Sequence, residues 1–265
     1  MGKGAQLTMA KISVLTPTFR LDGLKTVSDS LRLQTFPHQE VEWIICSPEH
    51  PETHYGVDKI QPYIWLKDSL KEEKPYLFGV LNHIYNQMIR KAQGELIVSI
   101  QDWIWFPRDT LELFWQHHLA FKAKGEKAYL AGIGDQYGEV DKYGRPQVVE
   151  CRDPRRDYWS GNFYECPHDC IEANFCYYPK QLFYDIGGWD ERLDELGIGM
   201  DNVSVSQRAE DAGWHSYLDK SIECRAFNHV HDPRLSEHHN MNGNYQRRMV
   251  ELKMNSNYPK LDYLA

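Results

Sequence analysis

Lys11 to Arg20, Lys-Ile-Ser-Val-Leu-Thr-Pro-Thr-Phe-Arg, is the stretch that decides the fold. Apolar and β-branched residues alternate up to Thr16, and Pro17, with no amide hydrogen to donate, stops them, so the spacing predicts a short buried strand. Leu24 to Leu33 has helical spacing, with Leu24, Val27, Leu31 and Leu33 inward, and Pro37 closes that unit. Val41 to Cys46 is a second apolar strand. A strand, a helix and a strand in sequence imply a right-handed parallel crossover.

The pattern continues along the chain. Leu77 to Ala92 reads as a helix stopped by Gly94, Leu96 to Ile100 as a strand, Thr110 to Ala123 as a helix after Pro107, and Ala128 to Ile133 as a strand. Tyr178 to Ile186 and Val203 to Ala212 read as helices ended by Gly187 and Gly213. Leu218 to His229 mixes short strand signals, and Tyr245 to Leu252 is helical within a polar tail. Asp135 to Asp169 is rich in Gly, Pro, Tyr and charge, which predicts a functional loop, with a hairpin in it. Ligands of such sheets bind beyond the carboxyl ends of strands, so chemistry is expected after Thr16, Cys46 and Ile100.

The 265 residues, 42% hydrophobic and 13% aromatic, suit one α/β domain with appendages. A formal charge of -8 argues against broad attraction to nucleic-acid backbones, because that affinity comes from Lys and Arg displacing counterions. No run approaches the roughly 20 apolar residues of a membrane span. Met1 to Met9 lacks the apolar core of a secretory signal, and six scattered cysteines read as reduced thiols, so the expected location is the cytoplasm.

Read together, the segments resemble family 2 glycosyltransferases. Lys11 to Arg20 is similar to the family's first strand and Pro-Thr turn, Ser30 to Pro37 to the following helix end, and Asn86 to Glu95 to its Asn-containing helix. Gly187-Gly188-Trp189-Asp190-Glu191 resembles its acceptor-side motif. The resemblance implies a single GT-A domain, a Rossmann-like α/β fold with a mixed, mainly parallel sheet flanked by helices. It would span 11–232, with 135–169 as a lid or acceptor loop, a flexible tail at 1–10 and a polar, helical extension at 233–265. It also implies transfer from a nucleoside diphosphate sugar, UDP favoured, to an acceptor hydroxyl with inversion.

The same resemblance implies roles for particular residues. Pro17, Thr18, Arg20, Ser47, Asn86, Gln101 and Asp102 would bind the nucleotide sugar, and Trp189, Asp190 and Glu191 the acceptor. Where the family carries an Asp-x-Asp metal motif this chain has Gln101-Asp102-Trp103, so Asp102, with His229 and His231 from a late segment, would hold a divalent cation, Mn2+ or Mg2+. Asp201 follows Met200, which stands where the family has Glu, and would be the general base. The second strand ends in Cys46-Ser47-Pro48-Glu49, unlike the family's acidic base-reading motif.

Other readings of these residues stand beside the family's. Asp102 would serve as an ordinary turn residue, Asp201 as a helix cap, Trp189 as a core side chain, and the two histidines as strand-edge hydrogen-bonders. Cys151, Cys166, His168 and Cys170 could hold zinc, and Arg152, Arg155 and Arg156 could reach a diphosphate. At the level of the whole chain, the alternatives are a nucleotidyltransferase and a catalytically impaired relative that binds a nucleotide sugar or glycan. The acceptor, whether glycan, lipid-linked glycan, protein or modified nucleobase, is not named by the sequence.

Overall fold

Ile12–Pro17 forms strand β1, every residue of it buried, within a sheet that has ten strands among the described residues. The computed structural model describes residues 10–19, 21–51, 62–68, 81–138, 149–196, 201–227 and 262–264. Strands β2 (Val41–Ser47) and β4 (Leu96–Ile100) flank β1 in parallel, and β3 (Ile64–Lys67) adds to β2 in parallel. β9 (Phe175–Pro179) then runs antiparallel between β4 and β6 (Ala128–Tyr137). Beyond β6 lies β10 (His215–Phe227), parallel to it and joined antiparallel by β5 (Ile104–Trp105). The short strands β7 (Val149–Cys151) and β8 (Phe163–Glu165) pair with β6 and β10.

Period-two alternation sends successive side chains to opposite faces and so builds two cores. Ile12 and Val14 of β1, Trp43 and Ile45 of β2 and Leu96, Val98 and Ile100 of β4 meet helices α1 (Leu24–Arg32) and α3 (Thr110–Lys124). Leu15, Ile44, Cys46 and Ile97 face the other way, onto α2 (Asn82–Lys91), α4 (Lys180–Ile186) and α5 (Asp201–Asp211). Each fully buried Leu, Ile or Phe contributes about 1.5–3 kcal/mol, so two such layers anchor the strand ends firmly.

The sequence reading left out β3, β5 and β9 and read β10 only as short strand signals from Leu218. β9 ends at Pro179, which precedes the first helical residue Lys180; the residue before a helix-starting turn here is extended, so Tyr178 belongs to the strand and not to the helix. β10 is one strand with an irregularity between Leu218 and Glu223, where Asp219 accepts hydrogen bonds from the Ser221 amide and hydroxyl, and this break scrambles the alternation. In the Asp135 to Asp169 segment, 139–148 fall outside the described residues, and the remainder includes the end of β6, β7 and β8. Of the predicted C-terminal helix nothing is described, but the Tyr263 amide donates to Gly187 O at 3.1 Å. Among the described residues no helix is long and apolar enough to cross a membrane.

Candidate active site

The carboxyl ends of β1, β2 and β4 lie side by side, and the chain leaves each of them through a polar turn. Pro17 ends β1 opposite Cys46, and the Thr18 amide donates to Cys46 O at 3.0 Å. The Thr18 hydroxyl donates to Asp102 Oδ2 at 2.6 Å, both residues being buried. The turn after β4 therefore presses its carboxylate against the turn after β1. Trp103 next to it has φ of 62°, uncommon for a bulky residue and worth of the order of 1–3 kcal/mol in strain. Its amide bonds to Gly23 O, its carbonyl accepts from the Phe227 amide, and a Cβ at Gly23 would meet its ring at 2.5 Å. Neighbours on both sides thus hold the strained turn that presents Asp102.

Ser47 is buried and its hydroxyl is engaged within the chain, donating to Glu49 O at 2.7 Å and accepting from Trp65 Nε1 at 3.0 Å. Gln101 is half-buried, its amide donating to Asn174 O. Arg20, His229 and His231 lie outside the described residues.

On the other side of the same edge stands α2. Asp194 accepts from the backbone amides of Asn82 and His83, at 3.0 and 2.8 Å, and so caps the helix from 112 residues away. The Asn82 side-chain amide donates to Asp194 Oδ1 at 2.8 Å and to Asp201 Oδ1 at 2.6 Å, so α5 opens beside the start of α2. Burial first, then the negative charge of Asp201, pushes the Asp194 carboxyl up to about 7 against the hydrogen bonds it accepts. The Tyr85 hydroxyl, bonded to Ser99 Oγ at 2.7 Å, is reached by the Gln101 side chain and feels the charge of Asp201, which ties the end of β4 to the start of α5.

The Gly187 to Glu191 turn packs against α2. Gly187 and Gly188 have φ of 76° and 89°, and a Cβ at Gly188 would lie 2.6 Å from Asn86 Oδ1, so glycine is required both for conformation and for approach. Asn86 spends its amide on this turn: it accepts from Trp189 N at 2.8 Å and donates to Trp189 O and Glu191 Oε1. The Trp189 indole is 1% exposed and stacks on Tyr85 at 4.3 Å, so as placed it offers its face to Tyr85 and not to solvent. Asp190, fully buried, forms a two-pronged pair with Arg192. Burial works against ionised Glu191, but His83 and Asn86 outweigh it and hold the carboxyl low, while the bond to Glu191 raises His83 against its own burial.

The remaining sequence motifs resolve elsewhere. Among the described residues, which include Cys151, Cys166, His168 and Cys170, no group of three or more ligating side chains is arranged to hold a metal, and His168 pairs with Glu210. Arg155 is buried on Asp153, and Arg156 bridges Asp135 and Glu223. Asn82 and His83 escaped sequence reading because they look like ordinary polar residues inside the helix read from Leu77, whereas the described helix begins at Asn82; only the tertiary return of Asp194 and Asp201 gives them work.

No family model and no curated protein matches the sequence. Solved structures do match. S. aureus TarS superposes with a TM-score of 0.56 at 13% identity, over 91% of this chain and 43% of that one. TarS 1–349 in complex with UDP gives 0.55 at 14% identity, over 92% and 72%. TarS 1–349 in complex with UDP-GlcNAc gives 0.56 at 13%, over 91% and 73%. The chain thus spans under half of the longest TarS chain matched. At such identity the likeness establishes the fold, and the chain has the Rossmann-like α/β fold of GT-A glycosyltransferases.

Proposed function

We propose that this chain transfers a sugar from a nucleoside diphosphate sugar, UDP-linked first among candidates, to an acceptor hydroxyl with inversion. The observation that carries the reading is that the turn after β4 presents a buried Asp102 clamped by Thr18, while Asp201, held by Asn82, acts on the Tyr85 hydroxyl that the Gln101 side chain reaches. The acceptor oxygen attacks the anomeric carbon from the face opposite the diphosphate, the carbon–oxygen bond to the diphosphate breaks, and Asp201 takes the acceptor proton. That the TarS structures hold UDP and UDP-GlcNAc supports uridine as the first base to try.

A divalent cation, Mn2+ or Mg2+, fits what is described of the donor side. Such ions are commonly held by one or two carboxylates with substrate phosphates and water, and Asp102 supplies a buried, oriented carboxylate beside the amide of Gln101. When bound, the ion neutralises charge on the diphosphate. His229 and His231 remain the proposed further ligands. Trp189, Asp190 and Glu191 act on the acceptor side by shaping the turn against α2. The acceptor is left as a hydroxyl on a glycan, lipid-linked glycan, protein or modified nucleobase.

A panel of nucleoside diphosphate sugars, each with Mn2+ and with chelator, tests this in a thermal shift assay. A ligand at 100 times its Kd stabilises by about 2.7 kcal/mol, which for a chain of this size is roughly 5–10 °C. UDP-sugars with Mn2+ are expected to give the largest rise. No rise with any member of the panel contradicts the proposal, and a donor that stabilises yet is neither transferred nor hydrolysed marks the catalytically impaired relative.

A further inference from the structure

Asn82 is the first residue of α2 and fully buried, yet its side chain does nothing for its own helix. Two of the orphan amides of that first turn, its own and that of His83, are already taken by Asp194. Both side-chain N–H groups are instead spent on carboxylates, Asp194 Oδ1 at 2.8 Å and Asp201 Oδ1 at 2.6 Å, while its buried side-chain oxygen has no hydrogen-bond partner among the described residues. An unpaired buried acceptor costs about 1–3 kcal/mol, so the amide is oriented by the two acids at the expense of its own oxygen.

Two carboxylates brought to one amide repel each other, and a donor aimed at one of them favours its ionised form. We propose that Asn82 is the positioning residue for the general base: its amide, braced by Asp194, keeps Asp201 ionised and fixes the direction of its carboxylate. This rests on the transferase reading above. Burial and the charge of Asp201 push the Asp194 carboxyl up to about 7 against the three hydrogen bonds it accepts, so the two acids are felt by each other across the Asn82 amide. Of the other titratable groups around the pair, Tyr85 on α2 feels the charge of Asp201. His83, whose amide bonds Asp194, is acted on by Glu191 in the turn packed on α2, by Asp194 and by Asp68 after β3.

The test is Asn82→Ala, with Asn82→Ser, which keeps one donor, as the second variant. Asp194 still caps the backbone amides in both. Protein labelled with carbon-13 at the aspartate carboxyls is titrated by NMR, and the Asp201 signal is identified by its loss in Asp201→Asn. The Asp201 midpoint is expected to rise by about one pH unit in the alanine variant, the equivalent of one lost hydrogen bond to a charged group, and by less in the serine variant. The acid limb of kcat should move with it, kcat at its plateau should fall at least about 10-fold from misaim, and KM for the donor should stay. An Asp201 midpoint that does not move in an active enzyme overturns the role of Asn82 and leaves the transferase reading intact. A wild-type chain inactive with every donor overturns the base assignment even if the midpoint moves.

Discussion

Asp201→Asn is expected to lose sugar transfer by at least about 100-fold while folding normally and binding donor as before. The substitution removes the proton acceptor and little else. Asparagine has the same shape, its side-chain oxygen can still accept from Asn82 Nδ2, and it suits a helix start about as well as aspartate. Positioned general bases typically contribute roughly 10²–10⁴-fold, and that factor should appear in kcat with donor KM unchanged. Rates measured with saturating donor, alongside thermal midpoints of both proteins, check it. Near-wild-type transfer would leave Asp201 a helix-start residue; loss of transfer together with donor binding would place it in the pocket's architecture and move the search for the base to Asp190, Glu191 or Asp194.

The largest stability effect is expected away from the chemistry, at Asp153. Its side chain and that of Arg155 are 3% and 7% exposed, and the guanidinium bonds Asp153 through Nε and Nη2 while Nη1 donates to Cys170 O. Asp153 also accepts from the Gly134 and Arg155 amides, tying the segment after β7 to the middle of β6. Asp153→Ala takes the two-pronged partner from a buried guanidinium and leaves it Cys170 O and Glu172 at 3.8 Å, which costs about 3–5 kcal/mol, or roughly 6–20 °C in thermal midpoint for a chain this long. Asp153→Ala with Arg155→Met should recover part of that loss, because no charge is then left unpaired.

The pH dependence of the pair has a definite sign. Burial opposes the Asp153 charge, but Arg155 outweighs it and the folded carboxyl sits below its usual value. Its stabilisation is therefore complete above the unfolded value of about 4 and is lost as the pH falls through the lower folded value. The difference between wild type and Asp153→Ala should shrink accordingly in acid. A small, pH-independent difference would mean that the segment from 149 to 169 is not anchored through this pair.

The sheet was legible because its signals are local. β1, β2, β4 and α1 begin or end within a residue of where alternation, helical spacing, Pro17 and Pro37 put them, since two buried faces and a proline leave little latitude. The β9 strand was not, because a parallel-looking α/β pattern does not announce a strand that returns antiparallel into the middle of the sheet. The site was half legible. Asp102 stands in the turn after β4 and Asp201 at the start of α5, but the partners that hold them, Thr18 at 84 residues and Asn82 at 119, are set by tertiary packing. Periodicity is equally silent on Trp189: an aromatic after Gly-Gly suits a sugar platform or a core, and the choice came from Tyr85 lying within stacking distance.

Calorimetric titration of UDP into the wild-type chain and into Asp102→Ala, both with Mn2+, bears most directly on the claim that a nucleotide donor sits at the carboxyl edge of β1 and β4. Interactions with charged groups are worth about 1.5–3 kcal/mol, so the account expects saturable binding to wild type and affinity at least about 10-fold weaker in the variant. No binding to the wild-type chain, or the same affinity in both proteins, would contradict it.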